Sequence, residues 1–419
     1  MMAKKIISLF SGALGLDLGL ERAGLKIAVA VEKNPTAVKT LKLNRKLPVI
    51  DDAIEDVTAA NILKKAGLEK RKAFVLTGGP CCQTFSTAGK RKSLGDASRG
   101  LLFRDFKRIV AETQPRFFVM ENVKGMLSAA VRHRPLNERE ADFPPLTKDE
   151  LYGSALKVIC DELAELRYYI IFALVNCADY GVPQKRHRVV FIGSRDGEEI
   201  FIPSRTRSAS DGKQPWRTLR DSIGNLRQGR PSFVPFSKSQ TEFLRLLTAG
   251  QNWRDLPVFL QKQALGAAYV SWGGRTGFCR RLAWDKPAPT LTTDPCGRAT
   301  MLCHPTKLRP LSVREYARLQ QFPDNWRFAG SVGQKYVQIG NAVPTGLGHA
   351  IGKMLVSVAS RTDSGALAKH WKRRGQVICA DPVLAVRLKK RPKKRLTPPR
   401  MRKNKDSDAA RRWLQQAAP

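Results

Sequence analysis

Residues 4–32 read KKIISLFSGALGLDLGLERAGLKIAVAVE, and the succession of patterns inside this stretch sets the architecture. Residues 4–10, Lys-Lys-Ile-Ile-Ser-Leu-Phe, read as a buried strand. Gly12, Gly15 and Gly19 follow, then a helix through Ala23 and a second strand, Lys26 to Val31, that ends on Glu32. Helix-like sequence runs from about Pro35 to Asn44, and a short apolar piece, Pro48-Val49-Ile50, leads into Asp51-Asp52. Strand and helix in alternation predict an α/β fold with a doubly wound, mostly parallel sheet. Further strands are expected near 73–77, 116–120, 168–174 and 188–192, and helices near 313–321 and 345–359.

Two of these strands end in loops with chemistry in them. Ala73-Phe74-Val75-Leu76 runs into Gly78-Gly79-Pro80-Cys81-Cys82-Gln83, and Phe117-Phe118-Val119-Met120 stops at Glu121-Asn122-Val123. In an open parallel sheet, ligands bind outside the carboxyl ends of the strands, where both loops would lie. A thiol in a tight Gly/Pro loop is poorly placed for packing and well placed for nucleophilic attack. Glycines 12, 15 and 19 allow close backbone approach, and Glu32, 20 residues after Gly12, suits ribose hydroxyls. Together they indicate a nucleoside-containing cofactor, with nicotinamide and S-adenosylmethionine both open. The loop thiol separates them: hydride transfer has no use for it, whereas attack on an electron-poor ring carbon assisted by a carboxyl group does.

Charge narrows the partner. Lys and Arg number 74 against 36 Asp and Glu, a formal net charge of +38 that favours a polyanion. No long uncharged apolar run exists for a membrane span, and the lysines and short apolar run at the start read as the first strand of an intracellular protein rather than a leader. Eight cysteines in a chain of 419 residues do not make a disulfide framework. Cys296, Cys303 and His304 lack paired metal-ligand spacing and read as structural, so no metal is expected. Residues 1–195 read as the catalytic and cofactor-binding domain, 196–330 as a smaller loop-rich module, and 331–360 as a segment packing back on the first. Residues 361–419 carry 18 Lys/Arg against four Asp and read as a disordered basic tail. Trp216 and Trp253 read as packing residues.

These motifs, in this order from about residue 5 to 355, resemble the DNA (cytosine-5) methyltransferases. Phe10-Ser11-Gly12 through Gly19 is similar to the family's cofactor loop, and Gly79-Pro80-Cys81-Cys82-Gln83 to its Pro-Cys-Gln nucleophile loop. Glu121-Asn122-Val123 and Gln184-Lys185-Arg186-His187-Arg188 resemble its Glu-Asn-Val and Gln-x-Arg-x-Arg motifs. Arg281-Leu282 with Lys286-Pro287-Ala288-Pro289-Thr290 resembles the segment that orients the recognition region. Gln338-Ile339-Gly340-Asn341-Ala342-Val343-Pro344 matches the closing cofactor motif.

The resemblance implies a catalytic set of Cys82, Glu121, Arg188 and Arg186. Cys82 would attack C6 of a flipped-out cytosine, Glu121 would hold N3, and Arg188 would contact O2 with Arg186 in support. It implies S-adenosylmethionine as cofactor, held by Phe10, Ser11, Gly12, Gly15, Glu32, Asp52 and Asn341. It also implies double-stranded DNA as substrate, read by the 196–330 module, with a cognate restriction endonuclease as partner or an orphan methylase. The expected state is a monomer in the bacterial cytoplasm, associated with the nucleoid. Departures from the pattern are Cys81 in place of a second proline, Leu14 where many members have glycine (expected to narrow the loop), and Lys33 in place of an aromatic residue. Two rivals are a tRNA cytosine-5 methyltransferase, which would carry Cys-Phe-Thr, and an inactive DNA-binding paralogue, against which Cys82, Glu121 and Arg188 speak.

Overall fold

The structure is a computed structural model that describes residues 4–80, 101–139, 143–227, 229–269, 277–363 and 371–389. Its centre is a sheet built from β1 (Lys5–Leu9), β2 (Lys26–Val31), β3 (Val49–Ile50), β4 (Val75–Gly78), β5 (Phe117–Val123), β6 (Tyr169–Asn176) and β8 (His187–Ser194), the last preceded by the short β7 (Gln184–Lys185). Among the described residues the order is completed at one edge by β12 (Val377–Cys379), giving β12-β6-β8-β5-β4-β1-β2-β3. All neighbours are parallel except β8, which runs antiparallel to both β5 and β6. The expected doubly wound, mostly parallel sheet is present, with β12 as a strand not expected from the sequence.

Successive residues in the central strands feed opposite cores, as strands covered on both faces require. Ile6, Val75, Phe117 and Val119 face one core, closed by α1 (Gly15–Arg22), α2 (Pro35–Asn44), α10 (Val332–Asn341) and α11 (Thr345–Asp363). Ile7, Leu76, Phe118 and Met120 face the other, closed by α3 (Ala59–Ala66), α4 (Leu101–Thr113), α5 (Ser154–Ala164) and α12 (Pro382–Lys389). Caps fix several helix starts: Asn34 accepts from the backbone N–H of Thr36 and Ala37, and Ser331 with Gln334 forms a capping box.

The smaller module is narrower than 196–330. Leu244, Trp253, Leu265, Phe278, Met301 and Cys303 form a core of their own with α7 (Lys238–Arg245) and α8 (Val258–Leu265). Ile200, α6 (Leu219–Ile223) and α9 (Val313–Leu319) pack on the main core instead. Two small two-stranded pieces join these parts: β9 (Arg207–Ser208) with β10 (Gln214–Pro215), and β11 (Ala288–Pro289) with β7. Trp253 is buried in the small core, and Trp216 donates to Asp179 at 2.8 Å beneath the Lys185 ammonium. Cys303 is buried, and His304 Nδ1 accepts from the backbone of Thr306 and Lys307.

One expectation is corrected here. The stretch 361–419 is not one unstructured tail: α11 extends to Asp363, and β12 pairs with Ile170, Ile171 and Phe172 of β6. Helix α12 then places Leu384 against the core. Proline and charge density at 390–419 masked a three-residue apolar run, Val377-Ile378-Cys379, that covers an edge strand. Residues 390–419 lie outside the described ones.

Candidate active site

Because β1, β2, β4 and β5 are parallel, their carboxyl ends share one edge of the sheet, where the glycine loop, Glu32, Gly79-Pro80 and Glu121 are gathered. Cys82 and its neighbour Cys81 lie outside the described residues. The two residues before them are fixed, however. A Cβ on Gly79 would sit 3.1 Å from Glu121 Oε2, and Asn122 Nδ2 donates to the Pro80 carbonyl at 3.4 Å. The Glu-Asn-Val carboxylate therefore stands against the backbone that enters the thiol loop. The described thiols are unsuited to attack: burial pushes Cys177 up to about 11, Cys160 and Cys296 up to about 12, and Cys279 and Cys303 up to about 11, and it raises Cys379 as well.

Glu121 is ion-paired with Arg188 Nε, and both side chains are nearly buried. The pairing follows from register. Arg188 lies opposite Val123 across β5 and β8, so Glu121, two residues along on the same face, is its diagonal neighbour. Arg188 Nη1 is further held by the His187 carbonyl at 2.8 Å.

Arg186 goes elsewhere. Fully buried, it donates through Nη1 to the Leu291 carbonyl at 2.9 Å and through Nη2 to the Gly340 and Ala342 carbonyls at 2.8 and 3.2 Å. Gln184 and Gln320 join this network: Gln184 donates to Gln320, and Gln320 donates to the Ile339 and Ala342 carbonyls. Arg186 thus supports the site by shaping the turn around Asn341 rather than by lining it. The alternation along the strand, which buries Gln184, Arg186 and Arg188 and exposes Lys185 and His187, is legible in the motif. The partnership of Gln320 is not, since nothing local marks a glutamine at a helix end as buried.

The expected cofactor residues divide in two. Half-buried Phe10 and Gly12 both have positive φ, and a Cβ on Gly12 would meet nothing within 4 Å. Gly12 N donates to Glu32 Oε2 at 2.7 Å, while Glu32 Oε1 accepts from Asn34 N at 2.8 Å, which fixes the carboxylate at the strand end. Asn341 is exposed at the end of α10. This open backbone flanked by an aromatic ring, a fixed carboxylate and an exposed amide fits a nucleoside. Ser11 and Gly15 serve the scaffold. The Ser11 hydroxyl is buried and donates to the Ser8 carbonyl at 3.0 Å, and a Cβ on Gly15 would fall 2.3 Å from the Val343 carbonyl oxygen.

Leu14 does not narrow the loop. Its backbone is left-handed, φ 65°, and its side chain is wholly buried in the core. Asp52 is exposed beyond β3, and its neighbour Asp51 pairs with Lys42 at 3.5 Å. Lys33 pairs with Glu55 at 3.8 Å.

Fold and site together are those of a methyltransferase with a doubly wound sheet carrying one antiparallel strand, its Glu121 carboxylate set against the backbone of Gly79. A family model for C-5 cytosine-specific DNA methylases matches residues 4–357. Type II methyltransferase M.Sau96I of Staphylococcus aureus is 38% identical over 354 residues, spanning 84% of this chain and 75% of the relative. Type II methyltransferase M.PspPI of a Psychrobacter strain is 38% identical over 361 residues, spanning 84% and 78%. A prophage-encoded DNA modification methyltransferase of E. coli superposes with a TM-score of 0.57 at 24% identity, over 85% of this chain and all of that one, a likeness of fold. The chain belongs to the C-5 cytosine-specific DNA methylase family and is a DNA (cytosine-5) methyltransferase. Such an enzyme requires a methyl donor. Among the described residues no helix is long and apolar enough to cross a membrane.

Proposed function

We propose that the protein transfers a methyl group from S-adenosylmethionine to C5 of a cytosine extruded from duplex DNA, as the modification enzyme of a restriction system. The observation that carries the reading is the placement of the Glu121 carboxylate against Gly79, beside Arg188 and directly before the thiol loop. The cofactor would supply an electrophilic methyl group, seated by Phe10, Gly12, Glu32 and Asn341.

The Cys82 thiolate adds to C6, and the displaced ring electrons make C5 nucleophilic while Glu121 protonates N3 and Arg188 holds O2. The donor, held by Phe10, Gly12, Glu32 and Asn341, would supply the methyl group to C5 and leave as the neutral thioether. Removal of the C5 proton then re-forms the C5–C6 double bond, expels the Cys82 thiolate and returns the N3 proton. Breaking the ring's aromaticity is the costly step, and the carboxyl and guanidinium groups lower it by meeting charge as it develops. The Leu244–Cys303 core would carry target recognition, with Arg and Lys side chains on phosphates and base edges. A cognate endonuclease acting on the same site, a monomeric state, and residence in the bacterial cytoplasm at the nucleoid belong to the same reading.

The test is incubation with S-adenosylmethionine and a sequence-diverse duplex pool carrying 5-fluorocytosine, whose C5 fluorine cannot leave as a proton does. A covalent adduct is expected in the wild type and in Cys81→Ala, and none in Cys82→Ala. Absence of an adduct in the wild type would overturn the function, and the reverse variant pattern the assignment of the nucleophile.

A further inference from the structure

One chain of hydrogen bonds runs beneath both reaction loops. Asp17, in the first turn of α1 and 3% exposed, accepts from Ser8 Oγ at 2.8 Å through Oδ2 and from Thr77 Oγ1 at 2.7 Å through Oδ1. Ser8 and Thr77 are register partners on β1 and β4, each one residue short of its strand's end. Ser11 is tied to the same strand by its hydroxyl, which donates to the Ser8 carbonyl at 3.0 Å, and to β2 by its backbone N–H, which donates to the Val31 carbonyl at 3.2 Å. The chain therefore links the residue before Glu32, the strand feeding the cofactor loop, and the strand feeding Gly79-Pro80.

We propose that Asp17 is a positioning residue for methyl transfer: its carboxylate ties the end of β1 to the end of β4 and so fixes the distance between the methyl-donor seat and the nucleophile loop. The inference rests on the reading given under Proposed function. Two features favour a working brace over filler. Asp17 sits between Leu16 and Leu18, both buried, so an ionisable group is held here among apolar neighbours. Burial pushes its carboxyl up to about 6; the Thr77 and Ser8 hydroxyls offset part of that, and the charge of Glu21 one turn on adds to it. An acid kept where it is costly, with both oxygens committed to the two strands that feed the site, marks a constraint set by function.

The test separates the two arms by measuring S-adenosylhomocysteine binding calorimetrically and the single-turnover methylation rate of duplex DNA at saturating donor. Ser8→Ala cuts the β1 arm, which also feeds the cofactor loop, and is expected to weaken S-adenosylhomocysteine binding about tenfold and to slow transfer about tenfold. Thr77→Val cuts the β4 arm and is expected to slow transfer about tenfold, with binding changed by less than about threefold. Asp17→Leu should damage both, and Asp17→Asn, which can accept from one hydroxyl and donate to the other, should recover most of both. The proposal is overturned if either Ser8→Ala or Thr77→Val leaves the transfer rate within about threefold of wild type, or if Asp17→Asn is as damaged as Asp17→Leu. Should Asp17→Leu not fold, the two hydroxyl variants decide. A wild type that binds S-adenosylhomocysteine yet methylates no DNA would overturn the functional reading, while the binding arm still judges the brace.

Discussion

Gly12 and Gly15 stand three residues apart in one loop, yet alanine should act on them through different physics. At Gly12 the backbone has φ 51° and the space around a Cβ is empty for 4 Å. Gly12→Ala therefore carries only left-handed strain, about 1 kcal/mol of stability. At Gly15 the added carbon would lie 2.3 Å from the Val343 carbonyl oxygen and 3.0 Å from Ala342 Cβ. Ordinary contact needs about 3.5 Å, so α1 and the 342–343 turn must part by roughly 1 Å. Neither partner is a flexible side chain, and overpacking of this kind costs about 3 kcal/mol. Urea unfolding followed by circular dichroism gives the stabilities, and calorimetry with S-adenosylhomocysteine the binding. Gly15→Ala should be the less stable by about 2 kcal/mol. Gly12→Ala should lose at least about tenfold in affinity, because its methyl group enters the space the ligand fills. Equal stabilities, or a Gly12→Ala variant that binds normally, would refute the division of the loop into an open seat and a packed wall.

Other consequences are equally measurable. Since burial raises the Asp17 carboxyl from 3.8 to about 6, its contribution to stability is fully present below pH 3.8 and lost as pH rises through 6, about 3 kcal/mol in all. The stability of Asp17→Asn relative to wild type should thus rise between pH 4 and 7 by up to that amount; a flat difference across denaturant melts would refute it. Arg186→Met removes the arginine donors from the buried Leu291 and Gly340 carbonyls, Ala342 keeping Gln320, and should cost about 3 kcal/mol, with S-adenosylhomocysteine binding weakened through the turn around Asn341. Truncation after Lys389 removes eleven Lys/Arg against two Asp and should flatten the dependence of log Kd for duplex DNA on log salt. Truncation after Asp363 should in addition lower unfolding stability, because it strips β12 from β6.

The sheet was legible because its strands are short apolar runs punctuated by glycine, proline and acids, and the helices between them are of ordinary length. Glu121 and Arg188 were legible because their motifs end or begin strands, and the antiparallel register then made them neighbours. What stayed hidden depended on tertiary geometry. Gly15 looks like a ligand glycine until Val343, over three hundred residues on, is seen against it. Arg186 looks catalytic because it shares a motif with Arg188, but strand alternation fixes only the face, not the distance to the turn it supports. Asp17 and Gln320 carry no local mark of burial, and β12 was obscured by the basic sequence after it.

The packing of α1 on α11 has a consequence for synthesis. Gly19 would clash with the Thr345 carbonyl at 2.1 Å and Gly348 with the Leu16 carbonyl at 2.2 Å if either carried a Cβ, so the two helices meet backbone to backbone. The α1 side of this contact thus emerges from the ribosome first and the α11 side only after about 350 residues, a late closure of high contact order. A nascent chain holding the first five strands lacks α11, so the packing of α1 should arise abruptly near the end of translation rather than accumulate along it.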